Sequence, residues 1–337
     1  MTDADATGPA TVRSVARAAG VSVATVSRVM AGTGVVSPER TERVLAAARR
    51  LGYTPSPIAR SLATGTSRRV AVVVPNLSNP YFYDIIRGIG RASAADGYTM
   101  TVADSMEDAT AEAALATDML AQADALVLVA PRADRAVLRE LQRSRRPVLM
   151  LLGPRAEAGL PDLGVDNLGG MTMLYRHLAE IGHRRVVYLS GPPGAWQNRR
   201  RLEAARRAER FGVEVTVLEA GGTIAAGHDA ADAALTHGPT AIACFNDLVA
   251  FGVLNRLTER GIGVPTDVSL TGFDDIDFSA YSSPALTTVR TPRERLGSEG
   301  WHTLRRMIDG EAVDPAPEEL AAELVVRDST GSVQASA

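Results

Sequence analysis

Three acidic side chains, Asp166, Asp274 and Asp275, are of a type that could serve as general acids or bases. Catalysis would also need a nucleophile paired with a base, or a metal site. The sequence contains no Gly-x-Ser-x-Gly elbow and no histidine at metal-ligand spacing from cysteine or glutamate. All 36 basic residues are arginine, which excludes a Schiff-base lysine and a Walker-A lysine. We therefore expect no enzyme, no cofactor and no metal.

Polar residues that follow strand-like runs favour a binding site instead. Asn246 follows the apolar run 241–245, Asp274 follows the run 268–273, and Arg199 lies in a loop after another run. A guanidinium presents a rigid fork of donors, and carboxylate and amide oxygens accept hydrogen bonds from vicinal hydroxyls. A sugar-like ligand offers both kinds of partner, so these three residues are candidate ligand contacts.

Two adjacent aromatic residues, Tyr81 and Phe82, begin a predicted helix just after an apolar run. They can offer an aromatic face to a ligand, or they can pack in the core beneath it. The sequence leaves these two interpretations open.

Such residues must be positioned by elements that bring several strand ends together. Short apolar runs alternate with amphipathic helical stretches, including Phe82–Asp96, Ala109–Ala121, Met171–Ile181 and Asp247–Arg260, which predicts parallel sheets covered on both faces. The runs are too many for one ordinary doubly wound sheet, so we expect two sheets with a ligand cleft at their carboxyl ends. The predicted strands are Val70–Val74, Thr99–Val102, Ala125–Val129, Val148–Leu152, Val186–Leu189, Val213–Leu218, Ala241–Phe245, Val268–Phe273 and Leu286–Val289.

The first seventy residues have a different pattern, that of three short helices. Thr11 can cap a helix that ends at Gly20, and Ser22 can cap a second helix, Val23–Met30. Two short helices joined by a glycine-containing turn predict a helix-turn-helix, and a third helix runs from Pro38 to Gly52. The predicted core residues of this small domain are Val15, Val21, Val26, Val29, Val44, Leu45 and Leu51.

Charge divides the chain at the same place. Residues 1–69 contain ten arginines and four acids, a balance of +6, and the remainder carries −9, which together give the net charge of −3. A basic segment joined to an acidic body indicates that only the first part meets a polyanion. The single Cys244 fits a reducing compartment, and the first residues do not resemble a signal peptide, so we expect a cytoplasmic protein.

The run from Val12 to Val29, VRSVARAAGVSVATVSRV, resembles the DNA-binding head of the LacI/GalR family of bacterial transcription regulators. The resemblance implies that Val23–Met30 is the recognition helix, with Val23 and Ala24 at base edges and Arg28 bidentate to guanine. Hydroxyl side chains of the helix then bond phosphates and fix the register. The implied DNA contacts in the head are Thr11, Ser22, Val23, Ala24, Thr25, Ser27 and Arg28.

The segment GYTPSPIARSL, which ends at Leu62, resembles the hinge of the same family. The resemblance implies that paired hinge helices of a homodimer fold in the minor groove of a pseudo-palindromic operator, where Leu62 wedges open a base step. Ala59 is small enough for two copies to approach closely, and Arg60 is the third implied DNA contact of the hinge.

The acidic remainder resembles the periplasmic-binding-protein fold of that family's effector domain, up to about residue 328. The resemblance rests on PNLSNPYF from Pro75, VDN from Val165, Asn246-Asp247, GFDD from Gly272 and Gly191-Pro-Pro. It implies a head over 1–54, a hinge over 55–68 and an effector and dimerisation domain over 69–328. Within that domain, one subdomain comprises 69–165 and 291–322, the other comprises 166–290 and 323–328, and 329–337 form a disordered tail. The implied ligand contacts are Asn79, Tyr81, Phe82, Asp166, Trp196, Arg199, Asn246 and Asp274.

One departure from the family concerns an aromatic residue. Many relatives place one in the loop after Val217, where this chain reads AGGTI, and we expect Trp196 to supply the stacking platform instead.

The whole pattern predicts a ligand-controlled repressor whose effector is a sugar or sugar derivative; a nucleoside or purine corepressor is the alternative. The sequence disfavours a solute-binding protein, which should have an export signal and no basic head, and a tetramer, because the tail lacks leucine heptads.

Overall fold

A computed structural model of the chain describes residues 10–32, 34–54, 65–154, 159–314 and 318–333. The chain divides into two compact units. The head unit comprises Met1–Arg69 with Gln122–Asp124, and the core unit comprises Val70–Ala121 with Ala125–Ala337. The predicted hinge contacts Ala59, Arg60 and Leu62 lie outside the described residues.

The head unit contains three helices, α1 (Val12–Ala19), α2 (Val23–Ala31) and α3 (Pro38–Leu51). Thr11 caps α1 through its side chain, which accepts a hydrogen bond from the third residue of the helix. Gly20 ends α1 in the left-handed conformation, at φ +64°, and so allows the tight turn into α2. The helix-turn-helix expected from the sequence is confirmed.

The head core has a partly different membership from the one expected from the sequence. Val15, Val26 and Val44 are fully buried, but Leu45 is 38% exposed and Leu51 is 37% exposed, so the assignment of these two leucines to the core is wrong. The buried stripe of α3 runs through positions 44, 47 and 48, and Leu45 points about 100° away from it. Leu51 lies in the last turn of its helix. The buried cluster is Val15, Ala16, Ala19, Val26, Val44, Ala47 and Ala48.

The core unit contains a six-stranded sheet in the order β11-β5-β4-β3-β1-β2. The strands from β11 through to β1 pair in parallel. They are β1 (Arg69–Val74), β2 (Thr99–Asp104), β3 (Ala125–Val129), β4 (Val148–Leu151), β5 (Asp162–Val165) and β11 (Glu318–Leu320). The helices that follow its first three strands are α4 (Tyr81–Ala95), α5 (Ala109–Leu120) and α6 (Arg135–Gln142).

A second, four-stranded parallel sheet has the order β7-β6-β8-β9. Its strands are β6 (Arg185–Ser190), β7 (Glu214–Glu219), β8 (Ala241–Cys244) and β9 (Ser269–Thr271). The remaining helices of the core unit are α7 (Asn167–Glu180), α8 (Trp196–Arg207), α9 (Ile224–Leu235), α10 (Asp247–Glu259) and α11 (Arg293–Ile308).

The chain passes between the two sheets three times: after β5, after β10 (Thr288–Arg290), and between β11 and β12 (Glu323–Val325). The strands β10 and β12 pair antiparallel as a small ladder. The expected fold class, a helical head followed by a periplasmic-binding-protein-like core of two parallel sheets, is confirmed. The short strands β5 and β11 escaped prediction because three or four residues give little periodic signal.

The sequence predicts a disordered tail after Asp328, whereas the structure shows residues 329–333 packed on the core unit. Ser329 is fully buried, and its hydroxyl donates to the carbonyl of Leu270 at 2.6 Å. Its backbone N–H donates to Ala285, so residues 329–333 extend the packing around β9.

Helices α4 and α11 cross at close range because both have glycine at the crossing. A β-carbon on Gly88 would lie 2.2 Å from the carbonyl oxygen of Glu294, and one on Gly297 would lie 2.2 Å from that of Ile85. The two helices therefore pack backbone against backbone and move together. Over the described parts of the chain, none of the helices has the length and apolar character needed to cross a bilayer.

Candidate functional site

A cavity of about 150 Å³ lies in the core unit, where strands of both sheets end. The residues around it follow β1, β2, β3, β6, β7, β8 and β9, as expected for a ligand site at the carboxyl ends of parallel strands. Its described lining consists of Asn76, Asn79, Tyr81, Phe82, Glu107, Ala130, Arg132, Pro192, Gln197, Arg201, Gly222, Thr223, Phe245, Asn246 and Asp274.

Backbone strain is concentrated at these strand ends. Glu107, Ala130, Leu152, Asp274 and Asp275 all have positive φ without being glycine, at 60°, 46°, 60°, 115° and 54°. Each such residue costs about 1–3 kcal/mol and persists only when its surroundings hold it in place. Three of the five line the cavity, so the strained segments are the ones that shape it.

Asp274 supplies a buried carboxylate to the cavity. Burial raises its pKa to about 7, an effect that the Arg201 guanidinium opposes and the Asp247 carboxylate reinforces. The contact with the Arg201 guanidinium is long, at 3.4 Å. A carboxylate held this loosely keeps the capacity to accept hydrogen bonds from a ligand.

Arg201 lies on α8 with its guanidinium 3.6 Å from the ring centre of Phe273 and 4.7 Å from that of Phe245. It donates to the amide oxygen of Asn167 at 3.0 Å and to the carbonyl of Phe245. The buried cation is thus fixed by aromatic faces and neutral acceptors as well as by Asp274. It presents a rigid set of donors at the cavity wall.

Two amides complete this wall. Asn246 caps α10, since its side-chain oxygen accepts from Val249, and its nitrogen donates to Gly222 at 3.1 Å. Gln197 donates from its amide to the carbonyl of Leu152 at 2.8 Å, which joins α8 to the end of β4 in the other sheet. Both amides are held in one orientation by these bonds.

The apolar surface of the cavity is aromatic. Tyr81 and Phe82, in the first turn of α4, pack edge to face with their ring centres 5.3 Å apart. Both are buried and both belong to the core of the six-stranded sheet while also lining the cavity; their contact with a ligand stays a prediction. The third ring, that of Phe245, fits because Gly191 has no side chain: a β-carbon there would lie 2.4 Å from the ring.

The charged lining residues form two oppositely charged pairs. The Nε of Arg132 donates to the Glu107 carboxylate at 2.6 Å, and Arg201 faces Asp274. Neither cation is left to attract an anionic ligand by itself. The cavity is therefore polar but close to neutral.

Five of the eight predicted ligand residues line this cavity: Asn79, Tyr81, Phe82, Asn246 and Asp274. Asp166, Trp196 and Arg199 are absent from its described lining. Asp166 caps α7, with its carboxylate accepting from Gly169 at 2.7 Å. Exposed Arg199 lies over the ring of Trp196, 5.8 Å from its centre, on the outer side of α8. The stacking platform expected of Trp196 is therefore not part of the cavity as described.

Sequence reasoning missed Arg201, Gln197, Arg132 and Glu107. The first two are four residues apart on α8 and share one face, whereas Arg199 lies midway between them and points the other way. Helical spacing puts Arg201 and Gln197 on one face of α8 but does not tell which face points to the cavity. Arg132 and Glu107 follow strands in loops without a recognisable motif.

The second candidate site is the surface of α2 in the head. Val23, Ala24 and Arg28 are exposed, while Val26, on the opposite side of the helix, is fully buried. Ser27 is half-buried between them on the exposed side. This face offers small apolar groups and one guanidinium, which suit a thymine methyl and a guanine edge.

The hydroxyls at the start of α2 have local roles. The Ser22 oxygen accepts from the backbone of Thr25 at 3.1 Å, and the two hydroxyls lie 2.9 Å apart. Thr11 has the same capping function on α1. Their contact with phosphate stays a prediction. Among the residues described, no three histidine, cysteine, aspartate or glutamate side chains are grouped so as to hold a metal ion.

Two family models match the chain. Residues 11–56 match the model of bacterial regulatory proteins of the lacI family, and residues 175–330 match a periplasmic binding protein-like domain. The first match covers the helices of the head, and the second covers all four strands of the second sheet and the last two passages between the sheets.

Curated relatives and solved structures match over almost the whole chain. The HTH-type transcriptional repressor CytR of Escherichia coli (strain K12) is 33% identical over 328 residues, 95% of this chain and 96% of the relative. The crystal structure of the Lac repressor dimer bound to operator and the anti-inducer ONPF has a TM-score of 0.86 at 27% identity, and covers 96% of this chain and 100% of that one. A complex of the transcriptional regulator CelR with cellobiose has a TM-score of 0.72 at 28% identity, and covers 95% of this chain and 99% of that one.

Proposed function

Because the chain belongs to the LacI family of bacterial regulatory proteins, we propose that it is a transcriptional repressor controlled by a small neutral sugar or sugar derivative. The ligand binds in the cavity of the core unit between the two sheets. The observation that carries this proposal is the cavity itself, in which a loosely held buried carboxylate, a fixed guanidinium and two oriented amides surround an aromatic wall.

Charge pairing favours a neutral ligand. Glu107 neutralises Arg132, and Asp274 neutralises Arg201, so a phosphorylated sugar would have to displace a carboxylate from its cation. A neutral polyol can instead donate hydroxyls to Asp274 and accept bonds from the amides and the guanidinium. A cavity with such fixed partners rejects analogues that lack a hydroxyl, because a buried polar group is then left unpaired.

The volume of the cavity favours a ligand with one ring. A closed apolar cavity of about 150 Å³ is enough for benzene, and typical pockets for larger ligands start at about 300 Å³. CelR binds the disaccharide cellobiose. The cavity here, at about 150 Å³, is small for a disaccharide, which favours a monosaccharide over a larger sugar.

A nucleoside, the second candidate, is favoured by the aromatic part of the cavity. Phe82 and Phe245 can flank a base, while Asn76 and Asn79, in the loop before α4, can form hydrogen bonds with the edge of the base. The ribose of such a ligand would use the same carboxylate and guanidinium.

On the DNA side, α2 enters the major groove, with Val23, Ala24 and Arg28 toward the bases. Two copies of the chain grip a pseudo-palindromic operator as a homodimer, as the Lac repressor dimer grips its own operator. The minor-groove wedge by Leu62 rests on the sequence resemblance. Ligand and operator affinities are coupled reciprocally, so a ligand that weakens DNA binding itself binds more weakly to the DNA complex.

A thermal-shift screen of the full-length protein tests the ligand class. The panel holds neutral pentoses and hexoses, the same sugars as phosphates, nucleosides and free purines. We expect a neutral sugar to raise the unfolding temperature, since a ligand that binds only the folded state stabilises it by mass action. The shift should disappear in Asp274→Asn and persist in Arg206→Gln, a change at an exposed arginine of α8.

Three results would count against the proposal. A phosphorylated sugar that binds better than its neutral parent contradicts the charge argument. A nucleoside or purine that shifts the unfolding temperature when the free sugars do not would replace the sugar with the second candidate. An increase in the unfolding temperature that persists in Asp274→Asn would mean that the ligand binds outside this cavity.

A further inference from the structure

A buried arginine that is absent from the cavity lining contacts the backbone of the strained Asp274–Asp275 segment. Arg293, the first residue of α11, directs its guanidinium at the backbone of this segment. Its Nη1 donates to the carbonyl oxygens of both Asp274 and Asp275, the latter at 2.8 Å. With φ at 115° and 54°, both residues are strained. Arg293 supports this conformation together with the backbone hydrogen bond from Asp274 to Val289 and the ion pairs of Asp275 with Arg290 and Arg327.

The same guanidinium is bound at its other end to α4. Its Nε and Nη2 lie 2.9 and 2.8 Å from one carboxylate oxygen of Asp84. Asp84 is in the first turn of α4, three residues after Tyr81, and its other oxygen lies 2.9 Å from Arg87. Arg293 therefore joins the helix that carries the aromatic wall to the segment that carries the cavity carboxylate.

The joint is rigid on the α4 side. Gly88 and Gly297 bring α4 and α11 into backbone contact, and Glu294 lies 3.2 and 2.7 Å from Arg87 and Arg91. The guanidinium is thus anchored on two closely packed helices and reaches from them to the Asp274–Asp275 segment, which follows a strand of the other sheet.

We infer that Arg293 is a positioning residue for ligand binding: it sets the direction of the Asp274 carboxylate through the backbone carbonyls and couples it to the Tyr81–Phe82 wall. The residue itself is not among those that line the cavity. This inference rests on the proposed function for its ligand, but the geometry it invokes exists without one.

A lysine cannot replace this arginine. The guanidinium spans a carboxylate and two carbonyls with donors in a rigid fork, whereas an ammonium is a compact charge that cannot span all three. Arg293→Lys preserves the charge beside Asp84 and removes the fork. Arg295→Gln is the matched control, because exposed Arg295 is on the same helix and pairs only within it, with Glu299 at 2.6 Å.

The first test needs no ligand. Hydrogen exchange of the full-length protein, followed by mass spectrometry, reports on the peptides that cover 272–280. We expect about threefold faster exchange there in Arg293→Lys and wild-type exchange in Arg295→Gln, because support for the strained segment is lost in the first variant alone. Unchanged exchange in Arg293→Lys would overturn the positioning role.

The second test uses the sugar with the largest shift in the thermal screen as the probe and measures its Kd by calorimetry. We expect about tenfold weaker binding in Arg293→Lys, the loss of a well-placed hydrogen bond to a charged group. Because Asp274→Asn is expected to abolish binding, the cycle uses Asp274→Glu, which keeps a carboxylate. Combined with Asp274→Glu, the lysine variant should cost little more; combined with Arg132→Gln, the two losses should add. Additive losses with Asp274→Glu would show that Arg293 does not act through this carboxylate.

Different results would contradict the proposed ligand class and the proposed role of Arg293. If no compound in the panel binds the wild-type protein, the proposed ligand class is wrong, and the exchange experiment still decides the role of Arg293. If a sugar binds and both measurements are unchanged in Arg293→Lys, the inference is wrong and the proposed function stands.

Discussion

Replacing Arg201 with glutamine should destabilise the core unit by an amount that depends on pH. Arg201 is buried and faces Asp274, which is buried as well. Removing one partner of a buried ion pair costs about 3–5 kcal/mol while the other partner stays ionised. Here Asp274 can escape this cost by taking up a proton, because burial has already raised its pKa to about 7.

The sign of the pH effect follows from linkage. Without the cation, Asp274 holds its proton to higher pH than in the wild type. There is a pH range in which Asp274 is protonated in the folded variant but not in the folded wild type. Within this range, each unit of rising pH increases the stability deficit of the variant relative to the wild type by about 1.4 kcal/mol. We therefore expect the Arg201→Gln deficit to be smallest and nearly constant below pH 7, where Asp274 is protonated in both proteins, and to grow above pH 7 toward about 3–5 kcal/mol.

Urea unfolding of full-length protein at pH 6, 7 and 8 measures this deficit, with Arg206→Gln as the control on the exposed face of α8. The double variant Arg201→Gln, Asp274→Asn should lose the pH dependence, because no ionisable group is left in the pair. A deficit of equal size at all three pH values would refute the account of Asp274 as the group that titrates.

Three further changes test other parts of the structure. Arg28→Ala should weaken binding to the cognate operator by roughly 1–3 kcal/mol in a fluorescence-anisotropy titration, and equal weakening on random DNA would reduce Arg28 to a phosphate contact. Gly88→Ala should destabilise by about 1–3 kcal/mol in urea because its β-carbon meets a backbone carbonyl. The control Gly90→Ala meets only a flexible methionine end and should be neutral or stabilising; equal effects would contradict the tight helix crossing. Burial raises the pKa of Asp247 from 3.8 to about 6, so its contribution to wild-type stability should fall by about 3 kcal/mol from pH 4 to pH 7. Asp247→Asn should make the fall in stability between pH 4 and pH 7 about 3 kcal/mol smaller than in the wild type and leave the part that Asp274 contributes; a fall as large as in the wild type would assign this contribution to another group.

The sequence predicts elements well where many residues share one pattern. Apolar runs such as Val70–Val74 alternate with helices over the whole core unit, and this repetition alone indicates two parallel sheets with a site at their ends. The crossovers and the strands β5 and β11 are too short to show a recognisable hydrophobic periodicity. Their place is decided by partners distant in the chain, such as Glu318 beside Leu163.

The site was predictable to the extent that its residues follow strands directly. Asn246 and Asp274 come within three residues of a strand end, and both line the cavity. Arg199 and Arg201 are alike in type and close in sequence, and only the phase of α8 distinguishes them. That phase depends on which side of the helix packs against the sheet, which is a tertiary property.

Arg293 shows the limit of such reasoning most clearly. Nothing in its neighbourhood, TPRERLG, sets it apart from a surface arginine at the start of a helix. Its role follows from two carbonyls and one carboxylate that are remote from it in the sequence, at Asp274, Asp275 and Asp84.

We propose that occupancy of the core cavity controls the head's affinity for DNA. The most direct measurement is a titration of the full-length protein into a fluorescent operator fragment, selected from random DNA, with and without the saturating sugar. We predict that the sugar changes the operator Kd at least about fivefold in the wild type and leaves it unchanged in Asp274→Asn. An operator Kd that is the same with and without the bound sugar in the wild type would contradict the claim.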